Sequence, residues 1–255
     1  MTPLADQLEA HAEALVERAL QAMYANPFWE ERFGERGRQF ARADNHHHLS
    51  YLALALRVGS PEPLARYARW LQEVLTTRGM CTRHLSENFA RLADAISAER
   101  LEGGDEARAY LRAAQESLLY PADPARALQA VATQVAGRAL QTLYARHPEW
   151  LDRWGEPGRS RCADDLVYHL SYLTDALALG RAELFAEYVA WVAGFLARRS
   201  IPVQHLVEAL VAIDQALQPL PVPARDAARV ALGIGRSRLG TFSPRSSPDA
   251  PLSAG

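Results

Sequence analysis

The chain repeats itself at long range. ALQAMY (Ala19 to Tyr24) recurs as ALQTLY (Ala139 to Tyr144), and NPFWEERFGERGR recurs as HPEWLDRWGEPGR after a one-residue slip. DNHHHLSYLALAL then recurs as DLVYHLSYLTDAL, and ARYARWLQEVLTTR as AEYVAWVAGFLARR. Matched positions lie about 120 residues apart, well beyond the ~20–50-residue periods of solenoids and propellers. A repeat of that length reads as a tandem duplication of a domain, so a fold proposed for one half must also suit the other. We read the modules as 1–119 and 120–239, with a tail at 240–255. Its Pro, Ser and Gly content predicts disorder. Gly103-Gly104 and the Tyr-Pro-Ala-Asp-Pro stretch at 120–124 punctuate the middle.

Within each module the apolar spacing is helical. Leu166, Leu170, Leu173 and Leu177 fall four, three and four residues apart, which is one stripe of an α-helix. Leu184, Tyr188, Trp191 and Phe195 repeat the pattern, and Phe185, Val189, Val192 and Leu196 beside them widen the face. Good helix formers dominate and β-rich runs are missing. Punctuation predicts helices near 4–25, 42–58, 61–78, 82–98 and 105–117, with a short turn around 28–33. In the second module it predicts them near 123–146, 162–179, 182–199, 202–218 and 223–235. Pro61 and Pro202 suit first helical turns, and Gly59 and Gly180 suit left-handed helix ends. The expected fold is all-α: two copies of a four- to six-helix bundle in a pseudo-twofold relation.

Composition narrows the function classes. A formal net charge of −2 with no long run of one sign argues against a nucleic-acid or anionic-membrane surface. All 28 basic residues are arginine, as a GC-rich bacterial genome would give. Cys81 and Cys162 form no metal spacing, which fits a reducing compartment. The first twenty residues carry acids and no uninterrupted apolar run, unlike a signal peptide, and no stretch approaches the ~20 apolar residues of a membrane span. The expectation is a soluble, cytoplasmic protein.

The duplication also marks candidate site residues. Asp44 and His48 match Asp165 and His169. A spacing of four puts both side chains on one helix face, and Tyr51 and Tyr172 extend it. Asp with His suits metal coordination or proton transfer. The competing reading is an Asp favoured in a first helical turn that steadies its own His. His84 and His205 are matched at helix starts, so His48, His84, His169 and His205 are the metal candidates. Their competing role is ring packing. His46 and His47 invite a metal-tract reading, but Val167 and Tyr168 stand opposite them.

Gly34, Gly37 and Arg38 match Gly155, Gly158 and Arg159. An arginine beside paired glycines before a helix suits a phosphate or carboxylate, although a helix stop followed by a tight turn is the better account of the glycines. The aromatic set Tyr24, Trp29, Tyr51, Tyr67 and Trp70, matched by Tyr144, Trp150, Tyr172, Tyr188 and Trp191, could wall a flat ligand such as a tetrapyrrole or simply form core. No GxSxG, HExxH or matched ExxH occurs, which leaves nucleophilic and di-iron chemistry without a motif.

Trp154-Gly-x-x-Gly-Arg159, then Asp165-x-x-x-His-Leu-Ser-Tyr-Leu173, then Tyr188-x-x-Trp191 together resemble helical regions found beside cobalamin-binding domains in some bacterial sensors. The resemblance spans most of each module and implies a sensory or regulatory role. The chain lacks the α/β corrinoid-binding domain, so no corrinoid ligand carries over. The leading expectation is therefore a non-catalytic sensory or regulatory protein that binds a small ligand or a partner protein through equivalent sites. Those sites are Arg38, Asp44, His48 and Tyr51, and Arg159, Asp165, His169 and Tyr172. The alternative is a metal- or haem-dependent protein, possibly an enzyme, using the shared Asp and His positions. A third reading makes every matched residue part of packing and capping.

Overall fold

The computed structural model describes residues 3–240. The tail at 240–255 therefore lies, beyond Gly240, outside the described residues. Eleven helices and no strand occur among those described, so the chain is all-α. They group into two compact units, Met1–Leu75 with Thr82–Leu118, and Thr76–Cys81 with Leu119–Gly255.

The first unit holds α1 (Leu4–Ala10), α2 (Ala12–Tyr24), α3 (Pro27–Val58), α4 (Glu62–Thr76), α5 (Thr82–Glu99) and α6 (Gly104–Glu116). Packing runs α2 against α3 and α5, α5 against α6, and α1 against α3. Leu15, Leu20, Leu52, Leu64, Phe89 and Leu111 have at most a trace of exposure and form the core. Each fully buried side chain of that size contributes roughly 1.5–3 kcal/mol. The second unit holds α7 (Ala125–Arg146), α8 (Glu149–Ala178), α9 (Ala182–Arg198), α10 (Gln204–Ala216) and α11 (Val222–Gly240). There α7 packs against α8 and α10, and α11 against α9 and α10. Gly235 makes the α9 contact close, since a Cβ there would sit 3.0 Å from the Phe185 ring. Leu166, Leu170 and Leu173 are buried as their spacing predicts.

Two sequence expectations are corrected. The helix expected over 4–25 breaks at His11, where φ −100 and ψ 6 end α1 and open α2. The stretches expected as a turn and loop before 42 and before 162 are helical, interrupted by one residue. Gly34 (φ 59, ψ −163) and Gly155 (φ 61, ψ −167) carry the breaks, in a region open essentially to glycine alone. Helix resumes at once, and Pro157 falls in the first turn of the resumed segment, where its missing N–H does no harm. The second glycine of each pair has a different task. A Cβ on Gly37 would lie 2.3 Å from Phe33 Cβ, and one on Gly158 2.3 Å from Trp154 Cβ. The glycine–x–x–glycine phrase thus encodes a helix–break–helix corner, one residue supplying the backbone turn and the other the room for the aromatic ring. At its far end α3 stops on Gly59, at φ 69.

Candidate functional site

His48 lies on the inner face of α3 and is 1 % exposed. Its Nδ1 shares a hydrogen bond of 3.0 Å with the Tyr67 hydroxyl on α4. Tyr51, one turn on from His48, stacks on Tyr67 at 4.1 Å and 12°, while Phe89 of α5 closes the other side of the imidazole at 4.9 Å. The second unit repeats the arrangement. His169 Nδ1 and the Tyr188 hydroxyl are 2.8 Å apart, and Tyr172 stacks on Tyr188 at 3.6 Å and 11°. Each unit therefore contains a buried histidine, a tyrosine that hydrogen-bonds it, and a second tyrosine stacked outside the first.

Burial decides the charge of these histidines. Removal from water drives His48 down to about 3, with His47 adding to the effect, and His169 down to about 4. Both imidazoles are neutral across the physiological range, far from the near-neutral pKa that general acid–base catalysis wants. Burial, with help from the Asp44 and Tyr51 charges, raises Tyr67. Asp44 is half-buried and thus sits where its charge is felt at the tyrosine hydroxyl.

Asp165 is exposed by residue area, yet the protein crowding its carboxyl raises it to about 6, with Arg161 opposing and Asp164 assisting. Water still reaches the residue and screens the effect. Nearby Cys162 is pushed up to about 12, chiefly by burial, which leaves it an inert thiol.

The other candidates go elsewhere. The Arg38 guanidinium lies over the Tyr24 ring at 4.0 Å and pairs with Glu30 at 3.4 Å. Arg159 lies over Tyr144 at 5.6 Å and pairs with Glu156 at 3.7 Å. Both arginines thus brace the corner on which they sit. His84 is fully buried among Phe28, Trp29 and Phe33, with ring centroids 4.8–6.4 Å away. Burial, with Arg32 and Arg83, lowers it to about 3. His205 packs on Trp150 at 4.6 Å and Trp154 at 5.4 Å, and is likewise lowered by burial. The two matched histidines of each unit therefore occupy two separate aromatic neighbourhoods. Among the described residues, no group of three or more His, Cys, Asp or Glu side chains is placed to hold a metal ion.

The two units differ at the outer tyrosine. Tyr172 is buried, and its hydroxyl donates to the Gly79 carbonyl at 3.1 Å. Three residues on, Asp175 accepts from the Tyr120 hydroxyl at 2.8 Å. Cys81, at the end of the same short segment as Gly79, is part of the second unit's core. In the first unit Tyr51 is 39 % exposed and Leu54, which matches Asp175, is 45 % exposed. Sequence reasoning named Tyr67 and Tyr188 only as aromatics and did not pair them with histidine. The signal was present: the spacing from histidine to tyrosine is 19 residues in both halves.

No family model, curated protein or solved structure matches the chain. No helix among the described residues is long and apolar enough to cross a membrane.

Proposed function

We propose that the protein is a duplicated, non-catalytic regulatory module that works by binding a partner protein through the rim around Tyr51. The observation that carries this reading is the state of the shared histidines. His48 and His169 are buried, neutral, and engaged by tyrosine hydroxyls. Such groups set the spacing of α3 against α4 and of α8 against α9; they offer little to a substrate's proton. The tandem-duplication reading gains support from the matched corners at Gly34 and Gly155 and from the twin histidine–tyrosine–tyrosine units. The resemblance to helical regions of bacterial sensors fits the same role.

The matched rims have diverged on this reading. Around Tyr172 the chain's own residues 76–81 fill the face, and a peptide carbonyl meets the hydroxyl. Around Tyr51 and Leu54, which are 39 % and 45 % exposed, the face is open among the described residues to another polypeptide. Native mass spectrometry of protein isolated from its own cells, compared with the denatured mass, tests this. Assemblies made of polypeptide alone are expected. A small molecule of fixed mass that is released on denaturation, and lost from a folded His48→Ala/His169→Ala variant, would overturn it in favour of a ligand or cofactor site.

A further inference from the structure

We infer that the first unit is the labile half of the chain and opens on its own while the second stays folded. The first unit buries polar side chains at positions where the second is apolar. Asn45, on the inner face of α3, is 0 % exposed. Its Nδ2 donates to the Ala41 carbonyl at 2.7 Å, a bond within its own helix that ties α3 to no neighbour. Its Oδ1 is buried with no hydrogen-bond partner among the described residues. Asn88, one turn beyond His84 on α5, has an Oδ1 in the same state, and so is the Tyr24 hydroxyl at the end of α2. The oxygens thus belong to α2, α3 and α5, the helices that pack on one another in this unit.

The second unit fills the same positions differently. Leu166 stands at the place of Asn45 and Ala209 at that of Asn88, and both are buried. The polar groups that this unit does bury are bonded: His169 to Tyr188, Thr174 to the Leu170 carbonyl, and Asp175 to the Tyr120 hydroxyl. Its comparable atom, Arg225 Nε, belongs to a half-buried guanidinium that still donates through another nitrogen to Gln218. A polar atom taken out of water without a bond weakens the folded state, whereas an apolar side chain at the same place strengthens it. Native stability is a narrow margin between large opposing contributions, so oxygens of this kind gathered in one unit set the two apart. Opening is then sub-global. The packing of α2, α3 and α5 gives way, water reaches Asn45, Asn88 and Tyr24, and α7 to α11 keep their core. This needs no partner, so it stands or falls apart from the rim around Tyr51.

Native-state hydrogen exchange of the full chain, read by mass spectrometry, measures opening in each unit separately. The slowest amides of α2 and α5 are expected to exchange at least ~10-fold faster than the slowest of α8 and α9, a difference of about 1.4 kcal/mol in opening free energy. Tyr24→Phe, which removes the hydroxyl alone, is expected to slow the first unit by about threefold. Asn45→Leu, which installs the residue of the second unit, is expected to slow it by about tenfold. Neither should change α8 or α9, and Leu166→Asn should speed exchange in the second unit only. First-unit amides as slow as those of the second overturn the inference. A faster first unit that Tyr24→Phe leaves unchanged overturns it too, because the unbonded oxygen is then not the weakness. If Tyr24→Phe exchanges faster still, the hydroxyl is bonded in the fold, for instance to an enclosed water, and the inference again fails. Leucine can overpack the Asn45 site, so Tyr24→Phe decides wherever the two variants disagree.

Discussion

Tyr188→Phe should destabilise the second unit far more than loss of one exposed hydroxyl would, and only while His169 is present. The hydroxyl lies 2.8 Å from His169 Nδ1, in a site where the imidazole is almost wholly sequestered. Removing it leaves a buried ring nitrogen without this partner, a loss of about 1–3 kcal/mol, whereas the net value of a typical hydrogen bond is about 1 kcal/mol. His169→Leu takes the same bond away from the hydroxyl's side and adds a packing change. In the double variant the one shared bond is lost once rather than twice, so the loss should fall short of the sum of the singles by about 1–2 kcal/mol. Urea unfolding followed by circular dichroism and tryptophan fluorescence reads these differences. At a slope of about 1–3 kcal/mol per molar, the Tyr188→Phe midpoint should drop by roughly 1 M. Two units permit two transitions, so each probe is fitted separately. Additivity within ~0.5 kcal/mol, the range for independent sites, would refute the coupling.

Stability should be flat between about pH 7 and 8, fall at more alkaline pH as the buried Cys162 and Tyr67 resist ionisation, and fall as the solution is acidified from about pH 6.5 towards 4. His48, His84 and His169 bind a proton in the unfolded chain near 6.5 but in the fold only near 3, 3 and 4. The unfolded state therefore takes up more protons in that window, at about 1.4 kcal/mol per proton per pH unit. Asp165, raised to about 6, works in the opposite direction between pH 6 and 4, but partial exposure weakens it. Urea midpoints at pH 7.5, 6.0 and 5.0 check the trend, and a midpoint that rises on acidification contradicts it. Gly155→Ala should lose about 1–3 kcal/mol, because its backbone lies in a region nearly closed to other residues. Gly59→Ala, in the milder left-handed region, should lose nearer ~1 kcal/mol; thermal melts rank the two, and an equal or reversed order counts against the corner. Arg38→Ala should lose only about 0.5–1 kcal/mol, the worth of an exposed cation over a ring, and should leave partner binding intact in a pull-down. A binding defect there would return Arg38 to the functional site.

Helix was legible wherever apolar residues recur at helical spacing, as along Leu166, Leu170 and Leu173, because local burial repeats with the turn of the helix. The Gly34 and Gly155 corners were misread because glycine and proline signal a stop, and spacing cannot tell a one-residue break from a loop. Their twin placement nonetheless marked them as shared structure. The partners of His48 and His169 sit on the next helix of each unit, so no periodicity within one helix could show them. The exposure of Tyr51 and Leu54 was hidden for another reason. Tyr51 and Tyr172 are the same letter in the same phrase, and the difference in their surroundings comes from Gly79 and from the exchange of Leu54 for Asp175.

The account depends most on His48 and His169 being neutral, hydrogen-bonded framework groups. NMR titration of the imidazole ring carbons and nitrogens in the full chain, assigned with His48→Gln and His169→Gln, tests that directly. Both rings are expected to keep one neutral tautomer, with no titration down to pH 5 while the fold persists. A ring that titrates near 6.5 in the folded protein, or that exchanges tautomers freely, would contradict the account and restore these histidines as candidates for chemistry.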